Sequence, residues 1–494
     1  MTDRLDKTMW RRLFQLSPES KTSLQRQLRE IMVAAILDRK ISADTPLPSS
    51  RELARQLGIA RNTVVLAYNQ LIDEGYLISR ERSGYFINEA ILSGSVDLAE
   101  QPEGHPEGKP DWDKRIKCKA SHQSNIKKPR DWKSYTYPFI YGQMDQDLFP
   151  ITDWRDCCRQ SLSVSGIQNA APDRYDADDP QLIKQIQARL LPRRGVWAGE
   201  DEILITLGAQ HALYLLSSLL VNGSSTVGIE DPGYVDARNI FSLNTSQVLP
   251  LSVDENGITL THNLRLCDYV YVTPSHQFPT TVTMPVERRQ TLLEEATKSD
   301  FLLIEDDYEC EINFEGNPSP ALKSLDHSDR VIYIGSLSKT LAPGLRMGYM
   351  VGPAELIREA RALRRLMIRH PPSNNQRTVA LFLSMGHHDS LLHRLGQIYK
   401  QRWQAMGDAL GKYLPESASV PTFGGTAYWV KGPPQLGARE LRDRAKKLGI
   451  LIEPGDVYFM EENAPHNYFR LGYSSIAAEK IAPGIEKLAA LIHQ

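Results

Sequence analysis

The chain has 494 residues, of which 41% are hydrophobic and 24% are charged. This length exceeds what one hydrophobic core usually organises, and the composition excludes a disordered, collagen-like or coiled-coil protein. With 58 basic and 60 acidic residues, the formal net charge of −2 gives no indication of a polyanionic partner. We therefore expect a globular protein of two or three domains.

The five cysteines form no CxxC pair, so neither a disulfide framework nor a zinc site is indicated. The first residues lack the apolar core of a signal peptide, and no stretch approaches the roughly 18 consecutive apolar residues of a membrane span. These features predict a cytoplasmic protein without a membrane segment.

Residues 1–92 carry more basic than acidic side chains, and they begin with a helical pattern. Six apolar residues recur at the spacing of one helix face: Leu24, Leu28, Ile31, Met32, Ala35 and Ile36. A second helix, RELARQLG, begins after an N-cap at Ser49 or Ser50 and ends at Gly58. The pattern predicts two helices joined by a proline-containing loop.

A third helix opens at Arg61 or Asn62 and has polar residues in its first turn. A short helix, a tight turn and a helix of this kind form a helix-turn-helix, whose second helix meets base edges in the DNA major groove. The following YLISRERSGYFI alternates like two strands with a basic tip, which predicts a wing. The run LPSSRELARQLGIARNTVVLAYNQLIDEGYLISRERSGYFI resembles the winged helix-turn-helix of the GntR superfamily. This resemblance implies that the DNA-facing residues are Arg51, Arg61, Asn62, Thr63, Ser83 and Gly84.

Residues 93–131 separate this domain from the rest of the chain. The stretch has no apolar periodicity and contains several prolines and lysines, which is typical of a flexible linker. Its basic residues, from Lys109 to Arg130, either contact phosphate groups of DNA or are solvated side chains of a tether. We therefore expect two bodies, 1–92 and 132–494, without a fixed relative geometry.

The larger body has the pattern of an α/β domain. Short apolar runs alternate with helical stretches: ILIT, TVGIE, YVYVT, FLLIE and VIYIG. Such runs are typical of strands that are buried on both faces, so we expect a mostly parallel sheet with helices on both sides. The strand in MGYMVG follows a loop too short for a parallel crossover, and we expect it to run antiparallel.

Two of the strand ends, where such sheets bind ligands, carry residues that suit a phosphorylated carbonyl cofactor. Lys339, in SLSKTLAPGLRMGY, stands among hydroxyl residues, and a lysine of lowered pKa forms a Schiff base with a carbonyl. Asp306 ends its strand, where a carboxylate can hold a pyridine nitrogen protonated, as in pyridoxal phosphate proteins. The predicted anion-binding groups are Ser336, Ser338 and Arg346, together with the amides of Gly208, Ala209 and Gln210 at the start of a helix.

The larger body resembles the fold-type I aminotransferases, because RYDADDPQLIKQ, TLGAQHAL, DPGY, TPSHQFPTT, IEDDYECE, YIGSLSKTLAPGLRMGY and FRLGYS follow in the order of that family. Together with the GntR-type domain, the chain resembles the MocR (GabR-like) transcriptional regulators across nearly its whole length. The resemblance implies pyridoxal 5′-phosphate as the cofactor, bound as an aldimine to Lys339. It also implies that Asp306 pairs with the pyridinium nitrogen, that Tyr308 contacts O3′ and that Tyr234 stacks on the ring.

Arg470 of FRLGYS matches the arginine that grips the carboxylate of a substrate or effector in this family, and a forked guanidinium suits that role. The chain departs from the aminotransferases at Phe278, where they usually have an asparagine that donates to O3′. We expect His276 or Gln277 to compensate.

Two further departures concern the regulators. Thr281 stands where they generally keep a glycine. Asp236 stands where one branch of them has a second effector arginine. We therefore do not expect this chain to bind the effector of that branch.

The resemblance implies a transcriptional regulator that binds double-stranded operator DNA and senses pyridoxal 5′-phosphate, alone or with an amine or amino acid. The alternatives are an active aminotransferase with an accessory DNA-binding domain and a DNA-binding scaffold with an empty pocket, for which Lys339 and Asp306 are incidental. Fold-type I proteins build their sites at a subunit interface. The resemblance thus also implies a homodimer in which each DNA-binding domain reaches over the partner's large domain.

Overall fold

In the computed structural model the chain divides into two compact units, the amino-terminal unit (Met1–Arg115) and the second unit (Ile116–Gln494). The structure describes residues 10, 13–44, 46–81, 83–92, 110–313, 319–415, 417–419, 424–460 and 464–493. Of the predicted linker, residues 93–109 lie outside this described part, and residues 116–131 belong to the second unit.

Helices and a two-stranded hairpin make up the described part of the amino-terminal unit. They are α1 (Leu24–Leu37), α2 (Ser50–Leu57), α3 (Arg61–Asp73), β1 (Leu77–Arg80), β2 (Gly84–Ile87), α4 (Glu89–Leu92) and α5 (Trp112–Arg115). Ser49 caps α2, because its hydroxyl oxygen accepts a hydrogen bond from the backbone N–H of Glu52 at 3.2 Å. Gly58 ends α2 with a φ of +67°, a conformation that favours glycine. The predicted helix-turn-helix and its hairpin are confirmed.

The core of the amino-terminal unit forms where the apolar faces of these helices meet. Of the predicted face of α1, Leu28, Met32, Ala35 and Ile36 are buried, while Leu24 and Ile31 are partly exposed. The buried residues of α3 are Val64, Ala67, Tyr68 and Leu71. Burial of a side chain the size of Leu28 or Val64 contributes about 1.5–3 kcal/mol to folding. The packing of α1 on α3 is therefore stable, and it leaves the polar first turn of α3 at the surface.

An eight-stranded mixed sheet forms the centre of the second unit, in the order β4-β11-β10-β9-β8-β5-β6-β7. Its strands are β4 (Ile203–Thr206), β5 (Val227–Asp231), β6 (Val248–Asp254), β7 (Gly257–Ile258), β8 (Tyr269–Val272), β9 (Leu302–Asp307), β10 (Val331–Ser336) and β11 (Gly348–Val351). The pairs β6–β5, β5–β8, β8–β9 and β9–β10 run parallel, and β11 runs antiparallel to both β10 and β4. The predicted mostly parallel sheet and its antiparallel strand are confirmed.

Smaller sheets flank this one. Ahead of β4 lies β3 (Tyr137–Pro138), and after β11 lie β12 (Ala418–Ser419), β13 (Ala427–Lys431), β14 (Ile450–Leu451), β15 (Glu453–Pro454) and β16 (Tyr468–Gly472). β3 pairs with β14, and the others form a four-stranded sheet in the order β12-β13-β16-β15. This second sheet places Arg470 on β16.

Helices pack around the sheets of the second unit. They are α6 (Ile151–Ser161), α7 (Val164–Ala170), α8 (Pro180–Gln185), α9 (Ala209–Leu220), α10 (Val235–Phe241), α11 (Val286–Ser299), α12 (Ala354–Ile368), α13 (Ser373–Ser384), α14 (His387–Tyr413), α15 (Ala438–Lys447) and α16 (Ala478–Ile492). Ile203 and Ile205 enter one hydrophobic core, whereas Leu204 between them enters another. Burial on both faces explains why these strands are continuous apolar runs in the sequence.

Among the described residues, no helix combines the length and the apolar character that crossing a bilayer requires.

Replacing Ser49 by alanine removes the hydrogen bond to the N–H of Glu52. We expect a loss of about 1 kcal/mol in the local stability of α2, which corresponds to amide hydrogen exchange about fivefold faster in residues 50–57. Hydrogen exchange followed by mass spectrometry of the full chain measures this. The control is Ser79→Ala on the exposed side of β1, which leaves α2 unchanged. Unchanged exchange in Ser49→Ala would contradict the cap.

Candidate functional site

A cavity of about 120 Å³ lies at the carboxyl ends of the parallel strands in the second unit. It is lined by most of the residues predicted for a cofactor, namely Lys339, Asp306, Tyr308, Tyr234, Ala209, Gln210, Ser336, Ser338 and Arg346. Tyr141, Tyr271, Phe278 and Pro343 complete the lining. Neither Gly208 nor Arg470 is part of the wall. The strand ends therefore bring together residues that lie far apart in the sequence.

β9 ends with three acidic residues whose side chains alternate between its two faces. Glu305 accepts hydrogen bonds from the backbone N–H groups of Leu322 and Lys323, both at 2.8 Å. Asp307 accepts a hydrogen bond from Nε of Arg194 at 2.7 Å, so its side chain also points into the protein interior. Asp306, between them, therefore points to the opposite face and into the cavity.

The carboxylate of Asp306 is only half satisfied. Its Oδ2 accepts a hydrogen bond from the Tyr271 hydroxyl at 2.9 Å, whereas no described residue bonds to Oδ1. Burial raises the pKa of Asp306 to about 7, although the hydrogen bond from Tyr271 opposes this shift. A buried carboxylate is costly unless it is paired, so the free oxygen favours a cationic donor inside the cavity.

Lys339 follows β10 and reaches the same cavity. Its Nζ lies 4.1 Å from the centre of the Tyr141 ring. Burial lowers the pKa of Lys339 to about 8; the carboxylate of Glu309 opposes the shift, and the cations Lys128 and Arg470 reinforce it. About a tenth of the amine is therefore neutral and nucleophilic at pH 7.

The groups predicted to bind an anion surround the other end of the cavity. Helix α9 begins at Ala209, and the first N–H groups of a helix favour an anion. Arg346 donates from Nη2 to the carbonyl oxygen of Leu207 at 2.9 Å, and a Cβ on Gly208 would lie 3.1 Å from that Nη2. Glycine therefore allows the close approach of the guanidinium. Ser336 and Ser338 face the same space from the end of β10.

Three aromatic rings shape the middle of the cavity. The hydroxyl of Tyr234 donates to Oδ2 of Asp236 at 3.1 Å, and its ring lies 5.3 Å from that of Phe278. The ring of Tyr308 lies 5.9 Å from Phe278, and its hydroxyl lies near the guanidinium of Arg470. The carboxylate of Asp236 thus accepts a hydrogen bond from Tyr234 and is not a free ligand group.

The two residues expected to replace the missing asparagine do not line the cavity. Nε2 of Gln277 donates to Glu230 at 3.2 Å and to the carbonyl oxygens of Pro232 and Phe278 at 2.9 and 2.8 Å. His276 is buried, and neither of its ring nitrogens bonds to a described residue. The expected compensation is therefore absent from this structure, and an apolar ring occupies the position in the wall.

Thr281 adopts a φ of +68° in the same loop. This region favours glycine, and a β-branched residue rarely adopts it. The threonine is held by its own N–H, which donates to the carbonyl oxygen of Gln277 at 2.6 Å. The loop thus keeps a conformation that suits glycine although the side chain has changed.

Arg470 lies behind the cavity wall rather than in it. Its guanidinium carbon is 3.6 Å from the centre of the Tyr141 ring and 4.3 Å from that of Phe278. The side chain is fully buried, beside the hydroxyl groups of Tyr308 and Tyr458. Tyr141 therefore contacts both Arg470 and Lys339. No motif in the sequence distinguishes this tyrosine or Tyr271, which is hidden in an apolar strand.

The residues predicted to face DNA lie on the surface of the amino-terminal unit. Arg51 is exposed on α2, and Arg61 and Asn62 are exposed in the first turn of α3, where Thr63 is partly exposed. Ser83 and Gly84 are exposed at the tip of the hairpin. The helix-turn-helix and the wing thus present polar groups to solvent.

The chain is similar to known proteins in both units. Residues 151–488 match the family described as aminotransferase class I and II, and residues 24–87 match the bacterial regulatory proteins of the gntR family. The chain is 40% identical to the HTH-type transcriptional regulator TauR of Rhodobacter capsulatus, over 96% of this chain and 98% of that protein. It is 30% identical to the probable rhizopine catabolism regulatory protein MocR of Rhizobium meliloti, over 96% and 94%.

Among solved structures, LysN, an alpha-aminoadipate aminotransferase of Thermus thermophilus, matches with a TM-score of 0.69 and 27% sequence identity. The match covers 78% of this chain and 98% of that chain.

Replacing Glu309 by glutamine removes a carboxylate that raises the pKa of Lys339. We expect this pKa to fall below its value of about 8, and we expect Lys128→Gln to raise it, because that change removes a neighbouring cation. The measurement is the pH dependence of reductive methylation of Lys339 by formaldehyde, followed by mass spectrometry. The control is Glu355→Gln on α12, which is exposed. Equal shifts of one sign in both variants would contradict the assignment.

Proposed function

This chain belongs to the MocR-type transcriptional regulators, which join a GntR-type helix-turn-helix domain to an aminotransferase domain, and we propose that pyridoxal 5′-phosphate bound at Lys339 makes its second unit respond to amines or amino acids. GntR-type regulators bind operator DNA. We propose that this one acts in the cytoplasm as a homodimer, so that two helix-turn-helix domains meet two half-sites.

The unpaired Oδ1 of Asp306 is the observation that carries the cofactor proposal. When bound, pyridoxal 5′-phosphate supplies a carbonyl that combines with amines and a protonated ring that withdraws electrons. Asp306 would hold the proton on the ring nitrogen, and the hydroxyl of Tyr308 would donate to the phenolic oxygen. Oδ1 of Asp306 has no partner among the described residues, so the donor set fits this cofactor.

The phosphate of the cofactor would bind at the anion-binding end of the cavity. The first N–H groups of α9 attract it, and Ser336, Ser338 and Arg346 add donors to its oxygens. Tyr234 would cover one face of the ring. Lys339 would hold the cofactor, because its lowered pKa keeps part of the amine neutral.

An effector regulates the protein only if it binds one arrangement of the DNA-binding domains more tightly than another. Arg470, predicted to grip an effector carboxylate, lies behind Tyr141 and Phe278. That role therefore requires one of these aromatic rings to move.

The second candidate function is an active aminotransferase, which the lowered pKa of Lys339 favours. The apolar Phe278 in the cavity wall favours a regulator, because it supplies no hydrogen bond to the cofactor. Multiple turnovers with an amino donor and a keto acid would establish the aminotransferase; at most one turnover per site is expected of the regulator.

Replacing Lys339 by alanine removes the amine that attaches the cofactor. We expect wild-type protein incubated with pyridoxal 5′-phosphate and reduced with borohydride to carry the label on Lys339, as seen by peptide mass spectrometry. The variant carries no label. Its basal DNA affinity stays within about twofold of wild type, but effector no longer changes that affinity. The control, Lys298→Ala on the exposed face of α11, labels like wild type. A wild type that takes up no cofactor would refute the proposal.

Replacing Arg61 by alanine removes an exposed cation from the first turn of α3. We expect the affinity for a duplex selected from a random DNA pool to fall by about 1–3 kcal/mol, with a shallower dependence on salt. Cofactor absorbance stays unchanged, since Arg61 belongs to the amino-terminal unit. Titration by fluorescence anisotropy measures the affinity, and Arg358→Ala on α12 is the matched control. A loss of cofactor absorbance with intact DNA affinity would contradict this division of roles.

A further inference from the structure

The carboxylate of Asp236 joins two side chains that line the cavity, although Asp236 itself is not part of the wall. Its Oδ2 accepts a hydrogen bond from the hydroxyl of Tyr234 at 3.1 Å and a second one from Nε2 of Gln210. Tyr234 is predicted to cover the cofactor ring, and Gln210 belongs to the end of the cavity that is predicted to bind an anion. One oxygen thus holds a side chain in each of two parts of the cavity.

The large sheet alone does not bring these residues together. Gln210 lies in the first turn of α9, which follows β4, whereas Tyr234 and Asp236 lie at the start of α10, which follows β5. Four strands separate β4 from β5 in the sheet. The start of a helix favours a carboxylate, so Asp236 is well placed in the first turn of α10. Its contact with Gln210 therefore ties together two sides of the cavity that distant strands build.

The hydrogen-bonding capacity of the groups fixes the orientation of Gln210. An ionised carboxylate can only accept, so Gln210 turns its amide nitrogen toward Asp236 and its carbonyl oxygen away from it. That oxygen lies 3.5 Å from Nη2 of Arg346, which also donates to the carbonyl oxygen of Leu207. The amide dipole of Gln210 is thus aligned between a carboxylate and a guanidinium, which stabilises this one orientation.

The hydroxyl of Tyr234 remains a donor in this arrangement. Burial raises the pKa of Tyr234 well above its usual value, and the carboxylate of Asp236 adds to the shift. The side chain is restricted at both ends, because the hydroxyl is bonded to Asp236 and the ring centre lies 5.3 Å from that of Phe278. Asp236 therefore helps to set the face that Tyr234 presents to the cavity.

We propose that Asp236 is a positioning residue of the cofactor site, whose carboxylate holds Tyr234 over the ring of pyridoxal 5′-phosphate and Gln210 at the phosphate end. The inference rests on the proposed function, because it requires the cofactor to bind in this cavity. An arginine, which one branch of the regulators has at this position, offers no acceptor and could accept neither hydrogen bond. In this chain the position therefore serves the cofactor.

The test measures the dissociation constant of pyridoxal 5′-phosphate. The full-length protein is freed of cofactor and titrated with it while the absorption spectrum is followed. We expect Asp236→Ala to bind the cofactor about tenfold more weakly, because both hydrogen bonds are lost. Asp236→Asn keeps an acceptor oxygen for both donors, and its amide nitrogen meets water because residue 236 is partly exposed. We expect this variant to stay within about threefold of wild type.

A mutant cycle shows whether Asp236 acts through these two contacts. Tyr234→Phe combined with Gln210→Met removes both donors and leaves Asp236 in place. We expect this double variant to bind about as weakly as Asp236→Ala, and we expect the addition of Asp236→Ala to change its constant less than about twofold. The control, Glu294→Ala on the exposed side of α11, binds like wild type.

Circular dichroism in the absorption band of the bound cofactor provides a second measurement, because it depends on how asymmetrically the cofactor ring is held. We expect the signal per bound cofactor to shrink in Asp236→Ala and in the double variant. It keeps its size in Asp236→Asn and in Glu294→Ala. A general loss of stability would lower the amount of cofactor bound but would leave the signal of each bound molecule unchanged.

The inference is overturned if Asp236→Ala binds the cofactor as tightly as wild type, or if Asp236→Asn binds as weakly as Asp236→Ala. It is also overturned if Asp236→Ala causes its full loss again in the double variant, because Asp236 would then act by another route. Should Asp236→Ala fail to fold, a double variant with wild-type affinity overturns the inference by itself. A wild type that takes up no cofactor refutes the proposed function instead, so the two failures are distinguishable.

Discussion

The carboxylate of Asp306 is buried at the end of β9 with one oxygen bonded to Tyr271 and the other unpaired among the described residues. Taking a charge out of water costs several kcal/mol unless a partner compensates, and this cost organises the site. The strand position is enforced from the other face, where Glu305 and Asp307 are tied to backbone amides and to Arg194. The side chain of Asp306 therefore has no alternative to the cavity, and the cavity has to supply its partner.

The parallel pairing of β9 with β10 converts this constraint into a binding site. The register places Ile334 beside Asp306, so the residues that follow β10, including Lys339, emerge at the same edge of the sheet. The first turn of α9 and Arg346 meet them from the neighbouring strands. The order of the strands thus brings together the carboxylate, the amine and the groups predicted to bind an anion. In the amino-terminal unit, packing of α1 on α3 likewise fixes which turn of a helix stays exposed.

The fold was largely predictable because its determinants are local. Apolar runs such as Ile203–Thr206 need burial on both faces, and Ser49 and Gly58 mark helix ends through their own backbone chemistry. Residues at strand ends, Asp306 among them, could be placed by the same argument. Tyr141 and Tyr271 could not be placed, because their roles depend on which elements meet in space. The burial of Arg470 behind aromatic rings is a tertiary property of this kind, and so is the docking of residues 116–131.

The ring of Tyr141 contacts Lys339 on one hand and Arg470 on the other. A compound anchored at the lysine reaches the arginine only if the ring of Tyr141 or that of Phe278 moves aside, while a compact compound leaves both rings in place. The length of the compound therefore decides whether an aromatic side chain is displaced. The backbone of Tyr141 is hydrogen-bonded to Lys128 and Glu453. A displacement of Tyr141 would therefore also shift the contacts of Lys128, near the start of the second unit.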